Sequence, residues 1–287
     1  MQTPEEHLSN EVGAIVRELD RVIGPGVEVM VVGAVCRDAL HLEHGLATPL
    51  RATDDVDLAL VCHGPGARSV LDLGLDRVAG SGGEVRFHIA GRLVDLVPFG
   101  PGVEAPDGVV TVGASGRLSV FGFQDVLRSS RIVDLRGGGS VRLPTVSGYV
   151  LLKLKAWVDR SAWHAYKDAS DLMVAMHWYA EAKTMTDRLY ESDVGLALFA
   201  AADYDEPLAA AGLAVEDALR LLSPERRAEL AELWPAEADD IALLARYLKN
   251  ESLPGWWGSA DAQAVVRRRN VAELVAAVVR GALGRFA

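Results

Sequence analysis

The first regular pattern along the chain is amphipathic. Thr3 precedes Pro4, Glu5 and Glu6, a cap residue followed by proline at the first helical position and acids near the positive end of the helix dipole. This start predicts a helix that ends near Gly24-Pro25-Gly26. The β-branched run Val27-Glu28-Val29-Met30-Val31-Val32 then stops at Gly33 and gives way to helical spacing through Val35, Ala39 and Leu42, which predicts strand, tight turn and helix. After a loop at Thr48-Pro49, Val56-Asp57-Leu58-Ala59-Leu60-Val61-Cys62 is apolar on both faces beyond its first residues, the pattern of a central strand. His63-Gly64-Pro65-Gly66 ends that strand, and a helix is predicted from Ala67 to Val78, broken by Gly80-Ser81-Gly82-Gly83.

Two short strands, Glu84 to Ile89 and Arg92 to Val97, flank Ala90-Gly91, a spacing that predicts a tight hairpin. Between residues 100 and 145, glycine separates short β-branched runs such as Val109-Val110-Thr111-Val112 and Arg131-Ile132-Val133-Asp134-Leu135. These are expected to extend the sheet. From Thr145 to Ala287 the spacing is helical, with breaks near Pro207, Ser223-Pro224, Pro235 and Pro254-Gly255, and no internal repeat is visible. The pattern as a whole predicts an α/β (α+β) protein, with a sheet-bearing domain over residues 1–143 and a helical domain over 144–287.

Composition agrees with an ordered core. Of 287 residues, half are hydrophobic and 24% are charged, and mean hydropathy is +0.15; no Ser, Gln or Pro tract interrupts them. The first residues are acidic and amphipathic, and no apolar stretch reaches about 18 residues. No signal peptide and no membrane span are therefore expected. Cys36 and Cys62 show no metal-ligand spacing and fit reduced, packed thiols of a cytoplasmic protein. A net charge of −11 argues against a protein that coats nucleic acid, while leaving room for a small basic site. The tight run Arg267-Arg268-Arg269 is expected to be a solvated helix face. His41 and His44, three apart on a helix without further ligands, are expected at the surface rather than on zinc. Trp256 and Trp257 are expected to pack the C-terminal helices.

The candidate chemistry lies in Thr53-Asp54-Asp55-Val56-Asp57-Leu58, where acids crowd the start of a strand that is otherwise apolar. Side chains alternate across a strand, so Asp55 and Asp57 share a face. Their mutual repulsion is relieved by a divalent cation, and magnesium, which requires hard oxygen ligands, suits them best. Asp95, within Leu93-Val94-Asp95-Leu96-Val97, is a second lone acid in an apolar strand, costly to bury without a partner. If the strands of Asp57 and Asp95 are neighbours, three carboxylates converge. Such a cluster can hold two ions that activate a hydroxyl and neutralise phosphates. Upstream, Gly33-Ala34 between strand and helix has the geometry that turns backbone N–H groups toward a phosphate. Arg37 suits either a phosphate or an internal acid such as Asp38.

In this order, Gly33-Ala34 after a strand, Asp55-x-Asp57 and then Asp95 resemble the DNA polymerase β-like nucleotidyltransferase superfamily over about residues 28–98. The resemblance implies a mixed sheet with flanking helices, two Mg2+ ions on Asp55, Asp57 and Asp95, and an NTP triphosphate on the Gly33 turn. Many members have serine where this chain has Ala34, and Thr53 or Arg37 would then replace the missing hydroxyl. In the second half, Lys153-Leu154-x-Ala156-x-x-x-Arg160 followed by Lys167-Asp168-x-x-Asp171-Leu172 resembles the helical signature of the AbiEii-like and MenT-like toxin nucleotidyltransferases. Read on its own, Lys153 lies on the flank of an apolar helix face, where a lysine reaches solvent, and Asp168 suits a helix start. The resemblance implies instead that Lys153 binds the nucleotide's phosphates and that Asp168 orients an active-site group. Lys167 departs from the commoner arginine.

The function expected is transfer of a nucleoside monophosphate from an NTP to an acceptor hydroxyl, with release of pyrophosphate. The toxin subgroup implies the 3′ end of tRNA or a protein as acceptor, and a cognate antitoxin as partner. A small hydroxylated molecule such as an antibiotic is the alternative acceptor. A catalytically silent nucleotide-binding or interaction module is a third reading.

Overall fold

The structure is a computed structural model that describes residues 2–46, 50–51, 53–63, 74–78, 85–105, 107–112 and 116–281. The chain divides into two compact units, Met1–Thr145 and Val146–Ala287.

The first unit opens with helix α1 (Pro4–Ile23), started by a capping box in which the Thr3 side chain accepts from Glu6 N–H and the Glu6 side chain accepts from Thr3 N–H. The helix buries Leu8, Val12, Ile15, Val16 and Leu19 and stops at Gly24, as its sequence predicts. Next come β1 (Val29–Val31), α2 (Gly33–Glu43), β2 (Asp55–Val61), β3 (Asp76–Arg77), β4 (Arg86–Ile89) and β5 (Arg92–Phe99). The hairpin β6 (Val109–Val112) and β7 (Gly116–Ser119), helix α3 (Phe123–Ser129), β8 (Arg131–Asp134) and β9 (Ser140–Leu143) complete the unit. Seven strands form one mixed sheet in the order β3-β4-β5-β2-β1-β9-β8. The strand carrying Asp55 and Asp57 is its centre, and Val56, Leu58 and Ala59 are fully buried there.

The β4–β5 hairpin turns at Ala90-Gly91 as predicted, with φ of 50° and 76°, the double positive φ of a type I′ turn. Three expectations need correction. Strands β6 and β7 form a separate two-stranded sheet, so among the described residues of 100–145 the main sheet is extended by β8 and β9. Phe123–Ser129, read as part of a strand region, is a helix started at Gly122 in the left-handed conformation. Asp76 and Arg77, read as the end of a helix, instead pair antiparallel with His88 and Phe87 at the sheet edge, and the Arg77 guanidinium lies over the Phe87 ring. Residues 67–73 of that predicted helix and the Thr48-Pro49 and Gly80–Gly83 loops lie outside the described residues.

The second unit is helical: α4 (Val146–Ser161), α5 (Lys167–Glu181), α6 (Lys183–Glu191), α7 (Asp193–Ala201), α8 (Glu206–Leu219), α9 (Pro224–Leu233), α10 (Ala238–Tyr247) and α11 (Ala262–Val279), with a 3-10 turn at Gly255–Trp257. The predicted breaks coincide with caps. Asp205 accepts from Leu208 N–H ahead of α8, and Ser223 accepts from Arg226 N–H with Pro224 opening α9. Helix α8 packs against α4, α5, α6, α7 and α11 and is buried along almost its whole length from Leu208 to Leu219. Its alanines let the neighbouring helices approach. A mixed α/β sheet region followed by a helical region is therefore the observed architecture. No helix among the described residues is long and apolar enough to cross a membrane.

Candidate active site

The register of three adjacent strands places a row of charge across one face of the sheet. Strands β2 and β5 run parallel with Asp57 opposite Asp95, and β4 runs antiparallel to β5 with Arg86 opposite Asp95. Residues paired in register project from the same side of a sheet. Arg86, Asp95 and Asp57 thus form one transverse row, and Asp55, two residues before Asp57, joins it on the same face. The neighbouring Val56, Leu58, Val94 and Leu96 point the other way and are fully buried. The alternation seen in the sequence is what separates the acids from the core.

Arg86 is the residue that sequence reasoning missed. Its Nε donates to Asp95 Oδ1 at 2.6 Å and its Nη2 to Asp95 Oδ2 at 2.7 Å, a bidentate fork. The same Nη2 lies 3.4 Å from Asp55 Oδ2. The Asp95 hydrogen bond, the Asp95 charge and the fields of Asp55 and Asp57 hold the guanidinium's pKa well above its ordinary value. The partner that a lone acid in an apolar strand requires is present, and it is an arginine. A signal for it existed. Counting back from the two-residue turn pairs Ile89 with Arg92 and hence Arg86 with Asp95.

At the other end of the row stands Gly33, first residue of α2, with φ of 61°. A Cβ there would fall 2.0 Å from Asp57 Oδ2 and 2.7 Å from its Cγ. Glycine is required both by the left-handed backbone and by the carboxylate lying against it. No side chain caps the α2 N-terminus, which follows Val32 in extended conformation, so the N–H groups of its first turn have no side-chain cap as partner. Ala34 is buried beside them. Thr53 Oγ1 donates to the Asp55 carbonyl at 3.3 Å, fixing the approach to β2. Of the two roles open to Arg37, the internal one is realised. It is fully buried, with Nε on Asp38 Oδ1 at 2.8 Å and Nη2 on the Arg51 carbonyl at 2.7 Å.

The donors fit magnesium in kind: carboxylate oxygens on one face, beside a helix start that only glycine can form. Among the described residues no three His, Cys, Asp or Glu side chains converge closely enough to hold a metal ion as they stand. Arg86 sets the positions of the Asp95 and Asp55 carboxylates, and its guanidinium stands in as their cation.

Within the second unit, Lys153 and Asp168 form a second ionic cluster. Lys153 Nζ donates to Asp171 Oδ2 at 2.6 Å and to Asp168 Oδ1 at 3.1 Å, and it lies over the Tyr149 ring. Asp168 is fully buried and also contacts Arg160 Nη1 at 3.3 Å. Burial alone would lower the lysine pKa, but the Asp171 and Asp168 carboxylates outweigh it and leave the pKa raised. The flank position read from the sequence for Lys153 is corrected: it is buried, because acids on the neighbouring helix receive it; Lys155 is buried as well, beside Asp159 of its own helix. Asp168 does not cap α5, whose N-cap is Tyr166 without a side-chain cap bond.

Two further corrections concern residues set aside earlier. His41 is buried rather than on the surface, on the inner face of α2. Arg268 is also buried, donating to the Trp256 and Ser259 carbonyls, while Arg267 pairs with Asp205 and Arg269 with Glu273. Trp256 stacks on Trp257 with centroids 4.0 Å apart. Cys36 and Cys62 are buried and not joined in a disulfide, and burial pushes the Cys62 thiol up to about 11.

Comparison with known proteins yields no match: no family model fits the chain, and neither a curated protein nor a solved structure is matched by it.

Proposed function

We propose that this chain is a magnesium-dependent nucleotidyltransferase of the polymerase β-like kind, transferring a nucleoside monophosphate from an NTP to an acceptor hydroxyl. The observation that carries this reading is the register of Asp57 with Asp95, with Asp55 on the same face and Gly33 pressed against Asp57. Arg86 accounts for Asp95 and Asp55 as ion-pair partners, while the placement of Asp57 in the same row, beside a glycine turn and a helix N-terminus without a side-chain cap, supports a site for metal and phosphate.

In this reading Asp55 and Asp57 would hold the magnesium ions, with Asp95 contributing to one of them. Two magnesium ions, when bound, supply the positive charge that neutralises the triphosphate and the departing pyrophosphate. Backbone N–H groups at Gly33 and Ala34 receive triphosphate oxygens. Asp95 accepts the proton of the acceptor hydroxyl as its oxygen bonds to the α-phosphorus, while the bond from that phosphorus to the bridging oxygen breaks and pyrophosphate leaves. Lys153 Nζ is committed to Asp168 and Asp171, so both residues are assigned to positioning α4 and α5 rather than to contact with the phosphates. Thr53 is assigned to holding the Asp55 backbone, and Arg37 to Asp38 and the Arg51 carbonyl.

The acceptor we favour is the 3′ end of tRNA, with the chain acting as a cytoplasmic toxin under a cognate antitoxin. The toxin-like signature supports this, and so does the α4–α5 turn. Trp163 is 82% exposed there, between the exposed cations Arg160 and Lys167, an aromatic face that suits an unstacked base and its phosphates. A pocket for a small hydroxylated acceptor such as an antibiotic has no comparable support. A few such contacts suffice at an acceptor end, so the net charge of −11 is no obstacle.

Incubation with each α-labelled NTP, magnesium and total tRNA or cell extract tests the reading. Label on RNA supports it, label on a small molecule moves the acceptor, and label on protein changes its class. No label with any nucleotide, with Asp57→Ala behaving as wild type, would leave the silent-module reading in its place.

A further inference from the structure

Arg86 occupies both oxygens of Asp95 and touches Asp55, yet these are the oxygens that a divalent cation would need. Backbone register places Arg86 opposite Asp95, so the pairing of these two residues is encoded in the hairpin. Its side chain is 34% exposed, which leaves the guanidinium free to swing while its stem stays on β4.

Charge decides what such a swing requires. Three carboxylates and one guanidinium sum to −2, since −3 + 1 = −2. One divalent cation cancels this with Arg86 in place, although the cation and the guanidinium then compete for Asp95 and repel each other. A second cation carries the site positive unless anionic phosphates arrive with it. A guanidinium binds phosphate with the same two-pronged geometry as carboxylate, so phosphate oxygens can replace Asp95 as its partner with no loss of hydrogen bonds.

We propose that Arg86 couples metal and nucleotide at this site, holding Asp95 and Asp55 in the free chain and exchanging them for phosphate oxygens of the incoming metal–NTP. This rests on the nucleotidyltransferase reading. In consequence Arg86 opposes free divalent cation and favours the cation that enters with a triphosphate. An ion pair that only stabilised the hairpin would affect neither quantity.

The test is manganese binding followed by electron paramagnetic resonance, with wild type, Arg86→Gln and Arg86→Lys, each with and without the α,β-methylene analogues of the four NTPs. Arg86→Gln should bind free Mn2+ about tenfold more tightly, and the analogue should enhance its Mn2+ affinity far less than that of wild type, by about tenfold or more. Arg86→Lys keeps the charge and loses the fork. It should bind free Mn2+ like wild type but show the same loss of enhancement by the analogue, and it serves if the glutamine variant does not fold. Equal Mn2+ affinity and equal enhancement in all three chains overturns the role of Arg86 while leaving the metal site standing. Absence of Mn2+ binding at millimolar concentration in wild type and both variants, all folded by circular dichroism, overturns the parent reading and this one with it.

Discussion

Gly33 and Asp57 are packed so closely that a single added methyl group at residue 33 would fall 2.0 Å from Asp57 Oδ2. Two separate demands meet at that glycine. Its φ of 61° costs other residues about 1–2 kcal/mol, and the carboxylate must move before any Cβ fits. Gly33→Ala should therefore lower unfolding stability by more than the backbone term alone. In an Asp57→Ala background the same change should be milder, with a coupling of about 1 kcal/mol or more in urea denaturation. An equal loss in both backgrounds would show that the contact carries no energy.

The carboxylates should separate chemistry from folding. Asn at position 57 or 95 keeps the shape and still offers one oxygen to its neighbours, Arg86 among them at position 95. Asp57→Asn and Asp95→Asn should each reduce nucleotidyl transfer by about 10²-fold or more while the melting temperature moves by only a few degrees. Transfer at the wild-type rate in either variant would remove that carboxylate from the mechanism.

Much of this arrangement was legible in the chain because it depends on local rules. The period-2 alternation around Asp55 and Asp57, the Ala90-Gly91 turn and the Thr3-Pro4 cap each state their geometry within a few residues, and each is found as read. What failed to show was partner choice. Nothing near Asp95 names Arg86, nine positions earlier, until the hairpin register is counted out. Lys153 and Asp168 looked like flank and cap residues because helical periodicity describes one helix at a time, whereas their burial comes from α5 lying against α4. Arg268 misled for the same reason. Its run of three arginines suggests solvent, but two backbone carbonyls near Trp256 receive it. The strand pair β6–β7 and helix α3 lay in a glycine-rich stretch whose short runs carry little period of either kind.

Helix α8 offers a test of packing against propensity. A Cβ on Gly212 would lie 2.8 Å from Leu198 Cδ2 and 2.9 Å from Leu274 Cδ2. Alanine gains about 1 kcal/mol over glycine in a helix interior, but overpacking a core costs about 1–3 kcal/mol. Both leucine contacts are at side-chain tips, yet they press from α7 and α11 on a helix buried along its length, which limits their retreat. Gly212→Ala should destabilise the protein by a net ~1 kcal/mol, and Leu274→Val in the same chain should recover part of it. A stabilised Gly212→Ala would mean that the interface yields freely.

Lys153 should reveal its role through pH. Replacing it with methionine keeps the stem but leaves Asp171 and Asp168 facing a buried gap, a loss of about 3–5 kcal/mol at neutral pH. The lysine pKa is raised above its unfolded value of 10.5 by those two carboxylates, against the opposing effect of burial. A raised folded pKa means that the native state binds the proton more tightly, so the contribution is complete below about 10.5 and declines as pH climbs through the higher native value. The stability gap between wild type and Lys153→Met, measured by urea unfolding between about pH 8 and 11, should stay level and then narrow only at the alkaline end. Because other alkaline titrations act on both chains alike, the difference isolates this group. A gap that is absent at neutral pH would show that Lys153 is not the counter-charge of Asp168 and Asp171. It would return the residue to the phosphate-binding role that its sequence motif implies.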